Sequence, residues 1–79
     1  MRTTIHHVTT GQRTIMGTDF PICDQLDRDQ RADRRPSWII TRGLCNGTAQ
    51  SASEYRTLKA ALEAWTQIHP DDSTPTKNA

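Results

Sequence analysis

The clearest pattern in the chain is an apolar stripe at helical spacing near its C-terminal end. Large apolar side chains recur there three and four positions apart, at Tyr55, Leu58, Leu62 and Trp65. This spacing is typical of one buried helix face, and the alanines between these residues have high helix propensity. Ser53 and Thr57 are both suitable N-caps, and His69 precedes a proline that favours an end there. The pattern therefore predicts a helix over residues 57–69, with residues 54–56 as an alternative first turn.

A β-hairpin pattern precedes this helix. Residues 37–44 are rich in β-branched and aromatic side chains, which favour a strand. Asn46-Gly47 follows, and type I′ turns prefer this dipeptide because both of their central residues need positive φ. Residues 48–53 can return as the partner strand, and their small side chains indicate a position at the edge of the sheet.

The N-terminal residues are also typical of strands. Residues 3–10 are β-prone, but strict alternation would put Ile5 and Val8 on opposite faces. A bulge, or a strand contacted on both faces, would accommodate both residues. A turn at Gly11-Gln12 would let residues 13–18 pair back with the first strand.

Residues 24–36 are almost wholly polar and separate the two apolar halves of the chain. We expect them to form a connector, either a loop or a short helix. Asp24 and Arg28 lie four positions apart, which gives weak support to a helix. Pro36 would end such a helix.

These elements together predict an α+β fold. We expect a small antiparallel sheet of three to four strands packed against one C-terminal amphipathic helix. Residues 1–70 would form a single compact domain, and residues 71–79 a flexible tail with nothing to bury. The expected core consists of the large apolar side chains Trp38, Ile40, Leu58, Leu62 and Trp65, joined by Ile15, Phe20 and Ile22.

Composition narrows the class of protein. A chain of 79 residues makes one domain at most, and 33% apolar with 24% charged residues is typical of a globular chain. No apolar run approaches the roughly 20 residues that a membrane span needs, and no stretch suits a signal peptide. We therefore expect a cytoplasmic protein with no membrane partner. Cys23 and Cys45 are too few for a disulfide framework, and free thiols are expected.

No motif for catalysis or metal binding stands out. The soft metal ligands are His6, His7, Cys23, Cys45 and His69, and they lack the paired short spacings of zinc sites. The aspartates at 24, 27, 29 and 33 do not follow the calcium-loop pattern, since the glycine and glutamate positions are Asp29 and Arg35. No phosphate-binding glycine loop or nucleophile motif occurs. We expect no enzyme, no cofactor and no metal.

Arginine is the residue type that most suggests a binding surface. Between residues 28 and 59 the chain has seven basic and three acidic residues, a local balance of +4 in a chain of net charge +1. Such a group can bind phosphates or an acidic protein surface, although a charged surface with internal ion pairs is the alternative. If residues 28–35 are helical, three arginines share one face. The candidate binding residues are the arginines Arg28, Arg31, Arg34, Arg35, Arg42 and Arg56.

One family resemblance covers residues 37–66. The run from Trp38 to Arg42, the Asn46-Gly47 turn and the helix from Tyr55 to Trp65 resemble the arm-binding domains of phage integrases, which are similar to the plant AP2 domain. The resemblance implies a sheet that enters the major groove of DNA with the helix behind it. Arg42 and Arg56 would then contact the groove or phosphates, and the arginines of residues 28–35 would follow the backbone. This chain departs from that family in its long polar connector and weak third strand.

A second resemblance is one of format. A chain of this size with a small sheet, one helix and no catalytic motif is similar to phage-encoded inhibitors of host defence, of which the anti-CRISPR proteins are the best known. This resemblance implies a non-enzymatic inhibitor that docks on a host protein or nucleoprotein complex and blocks nucleic-acid binding. A net charge of +1 disfavours a DNA mimic, so docking of the arginines on acidic residues is preferred over docking of the aspartates in 19–33 on a basic groove. Direct DNA binding through the sheet is the alternative. A structural or regulatory homodimer that pairs an exposed strand edge is the third, and the oligomeric state, monomer or homodimer, stays open.

Overall fold

The computed structural model describes residues 1–71 and confirms the α+β fold. A four-stranded antiparallel sheet has its strands in chain order, and one C-terminal helix packs against it. Residues 72–79, and with them nearly all of the expected flexible tail, lie outside the described residues. The elements are β1 (Arg2–Ile15), β2 (Thr18–Asp29), β3 (Ser37–Leu44), β4 (Ser51–Tyr55) and α1 (Leu58–Ile68).

The first hairpin is longer than expected. The turn expected at Gly11-Gln12 is wrong, because β1 continues through both residues and the chain reverses at Met16-Gly17. Met16 and Gly17 have φ values of 49° and 82°, the two successive positive angles that a type I′ turn requires. The register shifts between Thr4 and His6 and between Thr9 and Gly11, so β1 contains irregularities of the kind that residues 3–10 suggested.

The expected connector at 24–36 is wrong for its first six residues, which belong to β2. Residues 24–29 are strand, paired with β1 on one side and β3 on the other, and only residues 30–36 connect β2 to β3. The polar side chains do not prevent this, because Asp24 and Asp27 are buried with hydrogen-bond partners. A buried carboxylate that accepts such bonds avoids the cost of losing water. The connector is therefore about half as long as expected.

The second hairpin and the helix follow the sequence pattern closely. Asn46 and Gly47 have φ values of 48° and 80°, which confirms the predicted turn. β4 returns as an edge strand, although it begins only at Ser51. Thr57 is the N-cap of α1, and its Oγ1 accepts a hydrogen bond of 3.1 Å from the backbone N–H of Ala60. A helix start at Ser53 is wrong, because residues 51–55 are strand.

The core lies between α1 and the middle of the sheet. Leu26, Ile40, Ala61 and Trp65 are its buried residues, and Ile5 and Val8 both pack against it. Leu26 was not expected there, since it sits in the polar stretch. The core expected from sequence is wrong for four of its members, since none belongs to this cluster: Leu58, Ile15, Phe20 and Ile22. The last three lie on the part of the β1–β2 hairpin that extends past β3, which pairs with β2 only from Cys23 onward.

Candidate functional site

The connector between β2 and β3, residues 30–36, is held in shape by Gln30. The Gln30 Nε2 donates to the carbonyl oxygens of Arg31 and Arg34, at 3.1 and 3.2 Å. The Gln30 Oε1 accepts a bond of 3.0 Å from Nη2 of Arg28. A single side chain thus organises the turn that carries the exposed arginines, and it joins that turn to the end of β2.

The loop arginines meet Arg56 at one end of the sheet. Here β2 and β4 end, β3 and α1 begin, and a cleft of about 520 Å³ lies between them. Thr57, the N-cap of α1, lies at its border, and the first turn of this helix contains no acidic residue. The charged side chains that line the cleft are Asp29, Arg31, Arg34, Arg35, Glu54 and Arg56.

This cleft, which we call the basic cleft, has more positive than negative charge. Arg31 lies 3.4 Å from Asp29, and Glu54 accepts a hydrogen bond of 2.8 Å from the hydroxyl of Ser37. Within residues 1–71, Arg34, Arg35 and Arg56 form no ion pair. Because the guanidinium group stays charged and presents several N–H donors in one plane, these three exposed arginines can bind carboxylates or phosphates bidentately.

Two of the six candidate arginines lie outside the basic cleft. Arg28 is half-buried on β2 and bonded to Gln30. Arg42 lies toward the opposite end of β3, where its Nε is 3.6 Å from the carboxylate of Asp24. The helical alignment of Arg28 with the loop arginines is wrong, because Arg28 is in a strand; the loop, and not a helix, brings Arg31, Arg34 and Arg35 together.

The sheet face opposite α1 carries carboxylates. Side chains directly across an antiparallel ladder share a face, so Asp27, Ile39 and Glu54 lie together on the side away from Leu26 and Ile40. Asp29 lies farther along β2 on this same face, two residues from Asp27. Arg42, two residues from Ile40, lies on the helix-facing side of the sheet. The sheet-in-groove geometry implied by the integrase resemblance needs cations on the face away from α1. This face instead carries three acids on β2 and β4, with Arg2 of β1 as the cation opposite Asp29.

A second cluster of polar side chains joins β2 to the end of α1. Asp24 is 4% exposed, and its Oδ1 accepts a bond of 2.9 Å from the backbone N–H of Gly43. Its Oδ2 lies 2.7 Å from Nε2 of His69. The rings of His6 and His69 both lie against Trp65, with centroid distances of 5.4 and 4.8 Å. The sequence contains no spacing signal for this cluster, because its members come from β1, β2, β3 and the C-cap of α1.

The geometry of this second cluster is that of a structural anchor. His6 and His69 each contact the Trp65 ring, and no group of three metal-ligating side chains occurs in the part of the chain that the structure describes. Cys23 and Cys45 are free, and Cys45 is buried. The Asp24 carboxylate has three partners, Gly43, His69 and Arg42. It therefore holds the C-terminal end of α1 to the sheet.

Over residues 1–71 no helix has the length and apolar character that a membrane crossing requires. The candidate site is thus the basic cleft, built from four of the six arginines singled out by sequence together with Asp29 and Glu54. Comparison of the chain with protein-family models, with curated proteins and with solved structures found no match.

Proposed function

We propose that this chain is a non-enzymatic binding protein that docks its basic cleft on carboxylates of a partner protein. The observation that carries the proposal is the convergence of Arg31, Arg34, Arg35 and Arg56 around one cleft. Three of these side chains have no ion pair within residues 1–71, so no carboxylate of that part of the chain competes with an external anion for them. Charge-assisted hydrogen bonds to such groups are among the strongest that an exposed surface can form.

Charge distribution favours an acidic protein segment over a nucleic-acid duplex. A duplex lying over the cleft would also bring its phosphates close to the carboxylates of Asp29 and Glu54, which line the same cleft. Like charges brought close together oppose binding. A narrow protein segment can place its carboxylates among the arginines and away from these two acids.

The biological role in this proposal is inhibition of a host defence nucleoprotein complex by a protein of phage or mobile-element origin. Support for this role comes from the resemblance of format, a small non-catalytic α+β chain similar to anti-CRISPR proteins. The basic cleft would occupy an acidic site that the complex needs for binding nucleic acid. No cofactor or metal takes part in such a mechanism, because docking needs only complementary charge and shape.

The test is affinity capture from host lysate at physiological salt, with and without nuclease treatment. Tagged wild-type chain is compared with the double variant Arg31→Ala/Arg35→Ala. The matched control is Arg13→Ala/Lys59→Ala, which removes the same charge at two exposed positions outside the cleft. We expect a nuclease-resistant protein to be retained by wild type and control and to be lost from the cleft variant.

Three other results would overturn the proposal. Recovery of nucleic acid only, lost after nuclease treatment, would show a DNA-binding or RNA-binding module. Equal retention by all three chains would place the interface elsewhere. Equal loss from both double variants would show attraction by net charge and not by this cleft, since charge attraction without a defined site depends on total charge and salt.

A further inference from the structure

The two outer strands of the sheet differ in how they expose their edges. Strands β1 and β4 are outermost. β1 has two register shifts, and irregularities of this kind twist an edge away from further pairing. β4 pairs with β3 over five consecutive residues, from Trp38 opposite Tyr55 to Arg42 opposite Ser51, with no shift. The edge of β4 is therefore the regular one.

The edge of β4 also lacks the side chains that usually discourage strand addition. Its residues are Ser51, Ala52, Ser53, Glu54 and Tyr55, without lysine or proline, and the first four are exposed. Glu54 carries the single charge, and its carboxylate is engaged by Ser37 of β3 and thus directed toward the sheet. Small side chains and free backbone groups on a regular edge favour pairing with another extended segment.

The edge of β4 leads directly into the basic cleft. Glu54 and Arg56, at the end of this strand and just beyond it, both line the cleft. We infer that the partner's acidic segment binds as an extended fifth strand along β4 and places its carboxylates among Arg34, Arg35 and Arg56. This inference rests on the proposed function and specifies the form of the partner. Backbone pairing along β4 would supply affinity, and the arginines would select acidic residues at one end.

Charge complementarity favours this occupant over a second copy of the chain. Two copies paired through β4 in antiparallel fashion would carry their basic clefts at opposite ends, and neither cleft would meet an acidic segment. An acidic partner strand satisfies both the edge and the cleft at once. Because every ladder of the sheet is antiparallel, the added strand is expected to run antiparallel, with its glutamates before its β-branched residues.

The test uses a synthetic peptide, acetyl-Glu-Glu-Glu-Thr-Val-Thr-Val-Thr-amide, with the full chain. Its reversed sequence is the matched control, with the same composition and charge but with the glutamates at the wrong end. A third peptide replaces each Glu by Gln. NMR records the Nε–H signals of the cleft arginines and amide hydrogen exchange at Ser51–Tyr55. We expect the first peptide alone to shift the arginine signals and to slow alternate amides of β4 by about tenfold or more.

A proline pair provides a second measurement. Neighbouring residues on an edge strand point their N–H groups alternately toward and away from the sheet, so one of Ala52 and Ser53 presents its N–H outward. Proline is tolerated on an edge where the N–H faces solvent. Of Ala52→Pro and Ser53→Pro, the variant that keeps the wild-type melting temperature should lose the exchange protection given by the peptide.

Each other outcome separates the two proposals. Shifted arginine signals with unchanged β4 exchange would overturn strand addition and leave the proposed function standing. If the Gln peptide slowed amide exchange in β4 as well, strand addition would stand, but the basic cleft would have no role in selecting the segment. No response to any peptide would overturn both. Slowed β4 exchange that rises with protein concentration in the absence of peptide would show pairing with a second copy and overturn the inference.

Discussion

The carboxylate of Asp24 lies 2.7 Å from Nε2 of His69, and this contact fastens the middle of β2 to the C-terminal end of α1. The two residues are 45 positions apart in the chain. Asp24 also accepts from the backbone N–H of Gly43, so one buried carboxylate joins two strands and the helix. This contact adds to the apolar packing of Ala61 and Trp65 that keeps α1 on the sheet.

Replacement of Asp24 should therefore destabilise the fold. Asp24→Ala leaves the Gly43 N–H and His69 without their acceptor, and we expect it to lower the free energy of unfolding by about 2–3 kcal/mol. Asp24→Asn keeps one oxygen acceptor and should cost less. Urea unfolding followed by tryptophan fluorescence measures both, because Trp65 lies against His69.

The exposed aspartate of the connector is the matched control. Asp33→Asn removes the same charge at a position with no ion pair or side-chain hydrogen bond within residues 1–71. Its effect should stay within about 0.5 kcal/mol. If Asp24→Ala were as mild as Asp33→Asn, the contacts of Asp24 with Gly43 and His69 would have no energetic importance.

The sequence predicts the C-terminal half of the fold well, for local reasons. The helix and the Asn46-Gly47 turn are both specified by residues close in the chain: an apolar stripe, a threonine cap and a dipeptide that tolerates positive φ. The N-terminal half is specified by distant contacts. Residues 24–29 have the sequence pattern of a connector because their carboxylates disfavour a buried strand. Asp24 is buried there because Gly43 and His69, both distant in the chain, are its hydrogen-bond partners.

Truncation of Leu26 should cost more stability than truncation of Phe20. Leu26 is fully buried against α1, whereas Phe20 lies on the hairpin extension and is only half-buried. Leu26→Ala should cost about 2–5 kcal/mol, and Phe20→Ala under about 1 kcal/mol, although Phe is the larger side chain. Thermal unfolding by circular dichroism measures the difference.

If Leu26→Ala does not fold, its loss of unfolding free energy cannot be measured, and a milder core variant takes its place. Ile40→Val removes one methylene from the same cluster and should cost about 1 kcal/mol. If Phe20→Ala melted several degrees below Ile40→Val, Phe20 would have to be a core residue, and this result would contradict the structure.

The first turn provides a test of backbone conformation. Gly17 has φ of +82°, and Gly11, where sequence placed the turn, has no such angle and no atom within 4 Å of an added Cβ. Gly17→Ala should cost about 1–2 kcal/mol, because an L-residue is strained in the left-handed region. Gly11→Ala should be neutral or stabilising by about 0.5 kcal/mol, since alanine restricts the unfolded chain. Chemical denaturation measures both variants. A larger loss of stability from Gly11→Ala than from Gly17→Ala would indicate that the turn lies at Gly11.

The candidate site was half predictable from sequence. The clustering of Arg31, Arg34 and Arg35 follows from their closeness in the chain, whatever structure the connector has. The addition of Arg56 depends on where β4 ends, and the exclusion of Arg42 depends on its position toward the other end of β3, on the helix-facing side. Strand ends and faces are set by pairing register, which neither composition nor local periodicity determines.

The two tryptophans should respond differently to the same substitution. The buried indole N–H of Trp38 has no hydrogen-bond partner within residues 1–71, whereas Trp65 is fully buried and lies against the rings of His6 and His69. Trp38→Phe removes an unsatisfied donor together with some apolar area, and these effects oppose each other. We expect a change in unfolding free energy within about 1 kcal/mol for Trp38→Phe and a loss of about 2 kcal/mol or more for Trp65→Phe. Each variant keeps one tryptophan, so fluorescence follows its urea unfolding, and a larger loss from Trp38→Phe would show that its N–H is satisfied in solution.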